Sequence, residues 1–107
     1  MLIDYPALRR QIPIERVLAL IGYSATSRRG QQLRGECPFQ TAEASHRGCF
    51  SVHLGNGLFR CFHCGAQGNQ LDLWAQWRSL SLYHAAIDLC HHTRVDIPLL
   101  DRNSAAQ

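Results

Sequence analysis

Apolar residues recur at helical spacing in three stretches of this chain. The first begins at a proline and ends before a glycine, which predicts a short amphipathic helix over about residues 13–21. The second begins at Asn69, a helix-capping residue with Asp72 three positions on, and predicts a helix over about residues 69–78. The third predicts a helix over about residues 82–92, whose apolar face holds Leu82, Ala85, Ala86, Leu89 and Cys90.

Between the first two helices the pattern changes to the alternation typical of strands. Phe50 to Leu54 alternates apolar and polar residues, Asn56-Gly57 supplies turn residues, and Leu58 to Phe62 is the predicted return strand. A two-residue turn would place Leu54 opposite Phe59 and Val52 opposite Cys61. One face of the hairpin would then carry Phe50, Val52, Leu54, Phe59 and Cys61, and the other Ser51, His53, Arg60 and Phe62.

Two further segments have weaker patterns. Ser24 to Gly30 is polar and predicts a loop, whereas Val95 to Leu100 predicts an extended segment docked on the core. Residues 103–107 are predicted to be a disordered tail. A chain of 107 residues has room for one small domain, so we expect residues 1–107 to fold as a single unit.

Composition and charge permit a polyanionic partner without requiring one. Apolar residues make up 46% of the chain, which is typical of a globular protein rather than a disordered one. The net charge is +3, and all eleven basic residues are arginine, a bias that genomic base composition alone can produce. Arginine is nevertheless the residue whose planar guanidinium suits phosphates and stacks on bases.

The five cysteines are an odd set, and no signal-peptide pattern opens the chain. We therefore expect a cytoplasmic protein with reduced thiols, in which a Cys-x-x-Cys pair marks metal binding or redox chemistry. The sequence contains no apolar stretch of the roughly 20 residues needed to span a membrane.

The strongest chemical signal is the pair Cys61 and Cys64, which follows the return strand and runs into Gly65. Cys37, followed by a proline, lies in a second candidate turn and is separated from Cys61 by 23 residues. Two ligand turns separated by a hairpin are typical of a zinc ribbon, here with a core over about residues 33–68. A redox pair would need a β-α-β context that is absent from the pattern. The predicted fold class is α+β: a zinc ribbon with flanking α-helices.

A structural zinc site needs a fourth ligand, and the sequence leaves its identity open. Cys49 directly precedes the first strand of the hairpin and is the first choice, because an extended register would bring it opposite Cys64. His46, in the loop before it, is the second choice. A three-ligand site completed by water, or a defective site, remains as a further alternative.

The last helix offers two weaker candidates. Cys90 lies on the apolar stripe, which favours a buried structural thiol over a ligand. His84, Asp88 and His92 are spaced four apart on the opposite face, where a solvated surface is favoured over a second metal site.

Three sequence segments follow one another in a fixed order, and they are Cys37-Pro38-Phe39, Phe50-Ser51-Val52, and the run from Phe59 to Gly68 with its paired cysteines. Together they resemble the zinc-binding domain of bacterial and phage DNA primases. The resemblance covers about residues 5 to 92. It implies a Cys-His-Cys-Cys metal set, which maps onto Cys37, Gln40, Cys61 and Cys64. The sequence departs from that set at Gln40, because a glutamine amide is a poor ligand for zinc.

The resemblance also implies a function. In primases this domain contacts the single-stranded template, which requires aromatic faces for bases and cations for phosphates. The acidic polymerase domain has no counterpart here, so we expect no catalysis, and an accessory role beside a separate polymerase or helicase protein in replication or in a mobile element. The alternative is a zinc-stabilised protein-interaction module that docks a partner through the Trp74 and Trp77 helix or the last helix. The predicted contacts to single-stranded DNA are Arg60, Phe62, His53, Arg34, Arg47, Arg28 and Arg29.

Overall fold

The computed structural model describes residues 2–39, 49–62 and 64–100. Within these ranges the chain forms helices and strands in a mixed order, with the strands grouped between two pairs of helices. In chain order they are α1 (Tyr5–Gln11), α2 (Ile14–Leu20), β1 (Ala25–Arg29), β2 (Gln32–Gly35), β3 (Phe50–His53), β4 (Leu58–Cys61), β5 (Gln67–Asn69), α3 (Gln70–Arg78) and α4 (Leu82–Thr93).

The five strands form one antiparallel sheet in the order in which they occur along the chain. Its inner face carries the buried rows that contain Leu33, Val52 and Phe59, and next to them Phe50 and Cys61. These side chains join one hydrophobic cluster with the buried faces of all four helices, including Leu8, Val17, Leu73 and Leu89. The outer face of the sheet is therefore left to solvent.

The observed register of the β3–β4 hairpin differs from the predicted one by two residues. Val52 pairs with Phe59 and Phe50 with Cys61, across a loop of four residues, Leu54–Gly57. The predicted two-residue turn is wrong because the Leu54 amide donates to the carbonyl of Gln31 instead. Gly57, at φ 69°, supplies the left-handed conformation that closes the loop. Side chains alternate between the two faces of a strand with a period of two. A shift of two residues therefore leaves each residue on the face predicted for it.

Four elements were not predicted, and one of them is the four-residue strand β2. The segment expected to be a loop contains β1, whose five residues are all exposed and so give no apolar alternation. Helix α1 is capped by Asp4, whose side chain accepts a hydrogen bond from the Ala7 amide at 3.1 Å. Strand β5 is only three residues long. Short or fully exposed elements lack the periodicity on which the predictions rest.

The predicted helix cap at Asn69 is confirmed. Its side chain accepts hydrogen bonds from the Leu71 and Asp72 amides, and the Asp72 carboxylate accepts one from the Asn69 amide at 2.9 Å. This reciprocal capping box fixes the point at which β5 turns into α3. The next residue, the buried Gln70, donates from its side chain to the carbonyls of Arg9 and Ile12, which ties this junction to α1.

The chain after α4 is predicted to dock as an extended segment, and Val95 and Ile97 do pack against the core. Leu99 forms an isolated antiparallel bridge with Ile3, which joins the two ends of the described chain. The predicted disordered tail, residues 103–107, lies outside the described residues. No helix in the described part of the chain is long and apolar enough to cross a membrane.

Asp88 is the polar contact that holds α4 against α3. Its Oδ2 accepts hydrogen bonds from Trp74 Nε1 at 2.8 Å and from Arg78 Nε at 3.0 Å, and His92 Nε2 lies 3.5 Å from Oδ1. Partial burial opposes ionisation of Asp88, but its hydrogen bonds to Arg78 and Trp74 outweigh this and lower its pKa. His84 is hydrogen-bonded to Ser81 instead. The face predicted to be simply solvated therefore contains an interhelical clamp.

Replacing Asp88 with alanine is expected to lower the free energy of unfolding by about 1–3 kcal/mol, because the buried indole N–H of Trp74 loses its acceptor. Because the pKa of Asp88 is lowered in the folded protein, its carboxylate contributes stability at pH values above the usual aspartate pKa of about 4. This contribution is lost as the pH falls through the pKa of Asp88 in the folded protein. The stability difference between the two proteins, measured by urea denaturation, should therefore narrow on acidification. The exposed Asp96→Ala serves as the control, and an equal loss in both variants would contradict the clamp.

Candidate metal centre and nucleic-acid interface

The Cys61–Cys64 pair lies in a tight turn between β4 and β5. The Cys64 amide donates to Cys61 Sγ at 3.3 Å, and the Gly65 amide donates to the Cys61 carbonyl at 3.0 Å. Gly65 adopts φ 80°, a conformation that glycine accepts without strain. The turn directs both sulfurs to the same side. This is the geometry that the Cys-x-x-Cys spacing predicts for a zinc knuckle.

Cys37 completes a group of three thiols at this end of the sheet. The sulfur atoms of Cys37, Cys61 and Cys64 all lie within 4.8 Å of one another, and the Cys37–Cys64 separation is 3.8 Å. Zinc held tetrahedrally at about 2.3 Å from each sulfur requires ligand sulfurs about 3.8 Å apart. The three thiols therefore fit a zinc ion.

The protonation of Cys37 is coupled to metal binding. Burial is the largest influence on its thiol and, together with the Cys61 and Cys64 thiols, raises its pKa to about 12 against an opposing hydrogen bond from the Phe39 backbone. Only the thiolate binds zinc, so binding must release this proton, and zinc affinity rises with pH.

The structure places Cys49 beside this group but not in the predicted register. Its carbonyl accepts a hydrogen bond from the Phe62 amide at 2.8 Å, so Cys49 lies opposite Phe62 rather than opposite Cys64. Its sulfur contacts that of Cys61 at 3.8 Å, and it is not one of the three mutually close thiols. Gln40 and His46, the other positions considered for the fourth ligand, lie outside the described residues.

An aromatic cluster supports the metal end from the inner face of the sheet. Phe50 and Phe59 are stacked with ring centroids 5.5 Å apart, and Phe39 packs edge-on against Phe50 at 6.3 Å. Tyr23 contacts the same Phe50 ring at 5.4 Å. Phe39 is two residues from Cys37, and Phe50 pairs with Cys61. The rings therefore position the strand ends from which the thiols project.

The outer face of the sheet carries an exposed aromatic ring in contact with two guanidinium groups. Arg34 on β2 and Arg60 on β4 lie on either side of Ser51 in one cross-strand row. Their guanidinium carbons are 4.9 Å and 5.2 Å from the centroid of the Phe62 ring, within the range of cation–π contacts. Phe62 is nevertheless 55% exposed. None of the five strands contains an acidic residue, so this face is cationic.

A shallow groove of about 640 Å³ lies next to Phe62 on the same face. His53 is part of its wall, and its Nδ1 accepts a hydrogen bond from the Asn56 amide at 3.1 Å, which leaves Nε2 as the donor of the neutral ring. Sequence reasoning missed several of the groove residues, because their side chains converge only through the sheet register. These are Gln32, Asn56, Leu58 and Gln67.

The remaining predicted arginines do not all reach this face. Arg29 pairs with Gln32 in the row of His53 and lies on the outer side of the sheet. Arg28 pairs with Leu33, on the opposite side, and donates through Nε to the Gly30 carbonyl at 2.9 Å. Arg47 lies outside the described residues. The described outer face therefore holds Arg29, Arg34 and Arg60.

Comparison with known proteins identifies the family. The sequence profile of the CHC2 zinc finger family matches residues 4–105 of this chain. The chain belongs to the CHC2 zinc finger family. Zinc is therefore the metal of this site, and Cys37, Cys61 and Cys64 are in position to bind it. The predicted resemblance to primase zinc-binding domains is confirmed.

Individual relatives are DNA primases much longer than this chain. The DNA primase of Synechocystis sp. is 29% identical over 86 residues, which cover 79% of this chain and 13% of the primase. The DNA primase of Aquifex aeolicus is also 29% identical over 86 residues, covering 80% of this chain and 16% of that primase. This CHC2 chain therefore spans only a small part of the length of either relative.

A solved structure shows the same architecture. The crystal structure of the Aquifex aeolicus primase, comprising its zinc binding and RNA polymerase domains, superposes with a TM-score of 0.67 at 28% sequence identity. The match covers 86% of this chain and 22% of that one. The predicted fold class, an α+β zinc ribbon with flanking helices, is confirmed.

Proposed function

We propose that this CHC2 domain binds single-stranded DNA through the outer face of its sheet and catalyses no reaction itself. The observation that carries the proposal is the exposed Phe62 ring in contact with the guanidinium groups of Arg34 and Arg60. An aromatic ring beside cations is the combination with which proteins bind single strands, because every base has a face that can stack and every nucleotide carries a phosphate.

The shape and charge of the surrounding surface support this proposal. The groove beside Phe62 has a volume in the range that accommodates a ligand of nucleotide size. Its amide side chains and His53 offer hydrogen-bond donors and acceptors to base edges, while Leu58, 48% exposed, offers apolar contact. The lack of carboxylates in the strands removes a source of repulsion for phosphates.

The proposed role is accessory. The relatives are whole primases, and this chain corresponds to their zinc-binding part. In our proposal a separate polymerase or helicase protein supplies the chemistry in the cytoplasm, and this domain supplies contact with the template strand in replication or in a mobile element.

The second candidate function is that of a zinc-stabilised protein-interaction module, a docking module for a protein partner. It is favoured by an exposed apolar surface at the α3–α4 end. Within the predicted Trp74 and Trp77 helix, Trp74 is buried against α4 with only 3% exposure and does not contribute to this surface. Other large side chains at this end are exposed, and they are Trp77, Leu80, Leu82 and Tyr83.

A salt titration of binding to a fluorescently labelled single-stranded oligonucleotide tests the proposal. We expect binding at low salt that weakens as salt is added. Each phosphate neutralised on a single strand contributes about 0.7 to the slope of log affinity against log salt, so contacts from Arg29, Arg34 and Arg60 predict a slope of about −2. A Trp77→Ala, Tyr83→Ala variant should bind DNA unchanged. Absence of binding even at low salt would overturn the proposal and leave the docking module.

A further inference from the structure

Three thiols leave the zinc coordination one ligand short. A structural zinc ion takes four ligands in a tetrahedron, and the grouped sulfurs account for three of them. The position at which the family resemblance places a histidine is Gln40 in this chain. The neutral amide of glutamine is a weak zinc ligand beside thiolate and imidazole. A complete set of four protein ligands therefore requires a residue other than Gln40.

The sheet topology brings four cysteines to one end. Cys37 follows β2, Cys61 is the last residue of β4, and Cys64 lies in the turn to β5. Strand β3 is antiparallel to both β2 and β4, so its first residue lies at this same end, and Cys49 immediately precedes it. Each chain segment that reaches this end of the central strands thus carries a cysteine.

One sulfur–sulfur contact of Cys49 has the separation of a ligand pair, although Cys49 is not part of the group of three mutually close thiols. Its sulfur lies 3.8 Å from Cys61 Sγ, the same separation as that of Cys37 and Cys64 and the one expected between two thiolates on one zinc ion.

Cys90 provides the contrast within the same chain. It is 1% exposed on α4, and burial alone raises its pKa. It lies among the apolar residues of the core cluster and is not part of the thiol group. Cys90 therefore behaves as a structural thiol, and it leaves four of the five cysteines for the metal.

We propose that Cys49 is the fourth zinc ligand, so that this chain holds its metal with four thiolates instead of three thiolates and a histidine. Four thiolates on Zn²⁺ give the centre a formal charge of −2, against −1 for the set with a neutral histidine. Thiolates also favour soft metal ions over hard ones.

X-ray absorption of the zinc-loaded Cys90→Ala protein tests this assignment. Zinc–sulfur distances of about 2.3 Å are distinct from zinc–nitrogen distances of about 2.0–2.1 Å, so the number of sulfur ligands is measured directly. Without Cys90 the chain has four cysteines, so a count of four sulfurs requires Cys49 to be bound. Three sulfurs with one nitrogen or oxygen would overturn the proposal. This readout does not depend on DNA binding, and it stands whether or not the Cys49 variant folds.

A rescue variant provides an independent check. Cys49→Ser should reduce the sulfur count to three and weaken zinc retention against a competing chelator. Adding Gln40→His to that variant should restore retention and introduce one nitrogen ligand, as in the set implied by the family resemblance. Retention in Cys49→Ser equal to that of the wild type would contradict the assignment.

Discussion

Removing zinc with a strong chelator is expected to unfold the sheet of this domain. The thiol group joins the ends of β2 and β4 to the turn before β5, and small metal-binding domains couple metal binding to folding. Apparent binding free energies of about 10–16 kcal/mol for structural zinc are as large as the typical stability of a whole domain, about 5–15 kcal/mol. The measurement is the dispersion of amide signals in NMR spectra before and after chelation.

A chelator saturated with zinc beforehand is the control, and it should leave the spectrum unchanged. Readdition of one equivalent of zinc to the chelated protein should restore the original signals. If the chelated protein, shown by metal analysis to be free of zinc, retained its full dispersion, the metal would not be needed for the fold.

Single-stranded DNA affinity is expected to fall by two to three orders of magnitude in an Arg60→Ala, Phe62→Ala double variant. Loss of one aromatic stacking contact costs about 1–3 kcal/mol per base, and loss of one phosphate contact also reduces the salt slope by about 0.7. The two effects are separable, because Phe62→Ala alone should lower affinity at all salt concentrations and Arg60→Ala alone should flatten the salt dependence. Fluorescence anisotropy with the same oligonucleotide measures both.

Arg16→Ala is the matched control, since Arg16 is an exposed arginine on α2 rather than on the sheet. It removes the same charge from the protein and should leave the affinity nearly unchanged. Wild-type affinity in the double variant would show that DNA does not bind at Phe62. Zinc content should be measured in parallel, because Phe62 is adjacent to Cys61.

The parts of this structure that could be predicted are those encoded by local spacing. The two cysteines of the Cys61–Cys64 turn are three positions apart, and the cap at Asn69 depends on Asp72 three positions on. Helical periodicity likewise located α2, α3 and α4. Such signals are contained within a few residues, so they can be recognised in the sequence without knowledge of the rest of the fold.

The parts that could not be predicted depend on contacts distant in sequence. The hairpin register is set by the hydrogen bond from Leu54 to Gln31, in the connection between β1 and β2. Likewise, the sequence pattern does not distinguish Trp74 from Trp77, yet only Trp74 forms a hydrogen bond with Asp88 and is buried. The groove beside Phe62 is built from four strands and a loop, so no single stretch of sequence reveals it.

The position of Phe62 inside the metal-binding turn has a thermodynamic consequence. The ring that we propose stacks on DNA follows Cys61 directly, so zinc fixes the backbone from which it projects. If DNA binds the ordered turn more tightly than the open one, then by linkage it must increase zinc affinity by the same factor by which zinc increases DNA affinity. On a template strand this domain would then hold its metal more firmly than in free solution, and scarcity of zinc would release the domain from DNA.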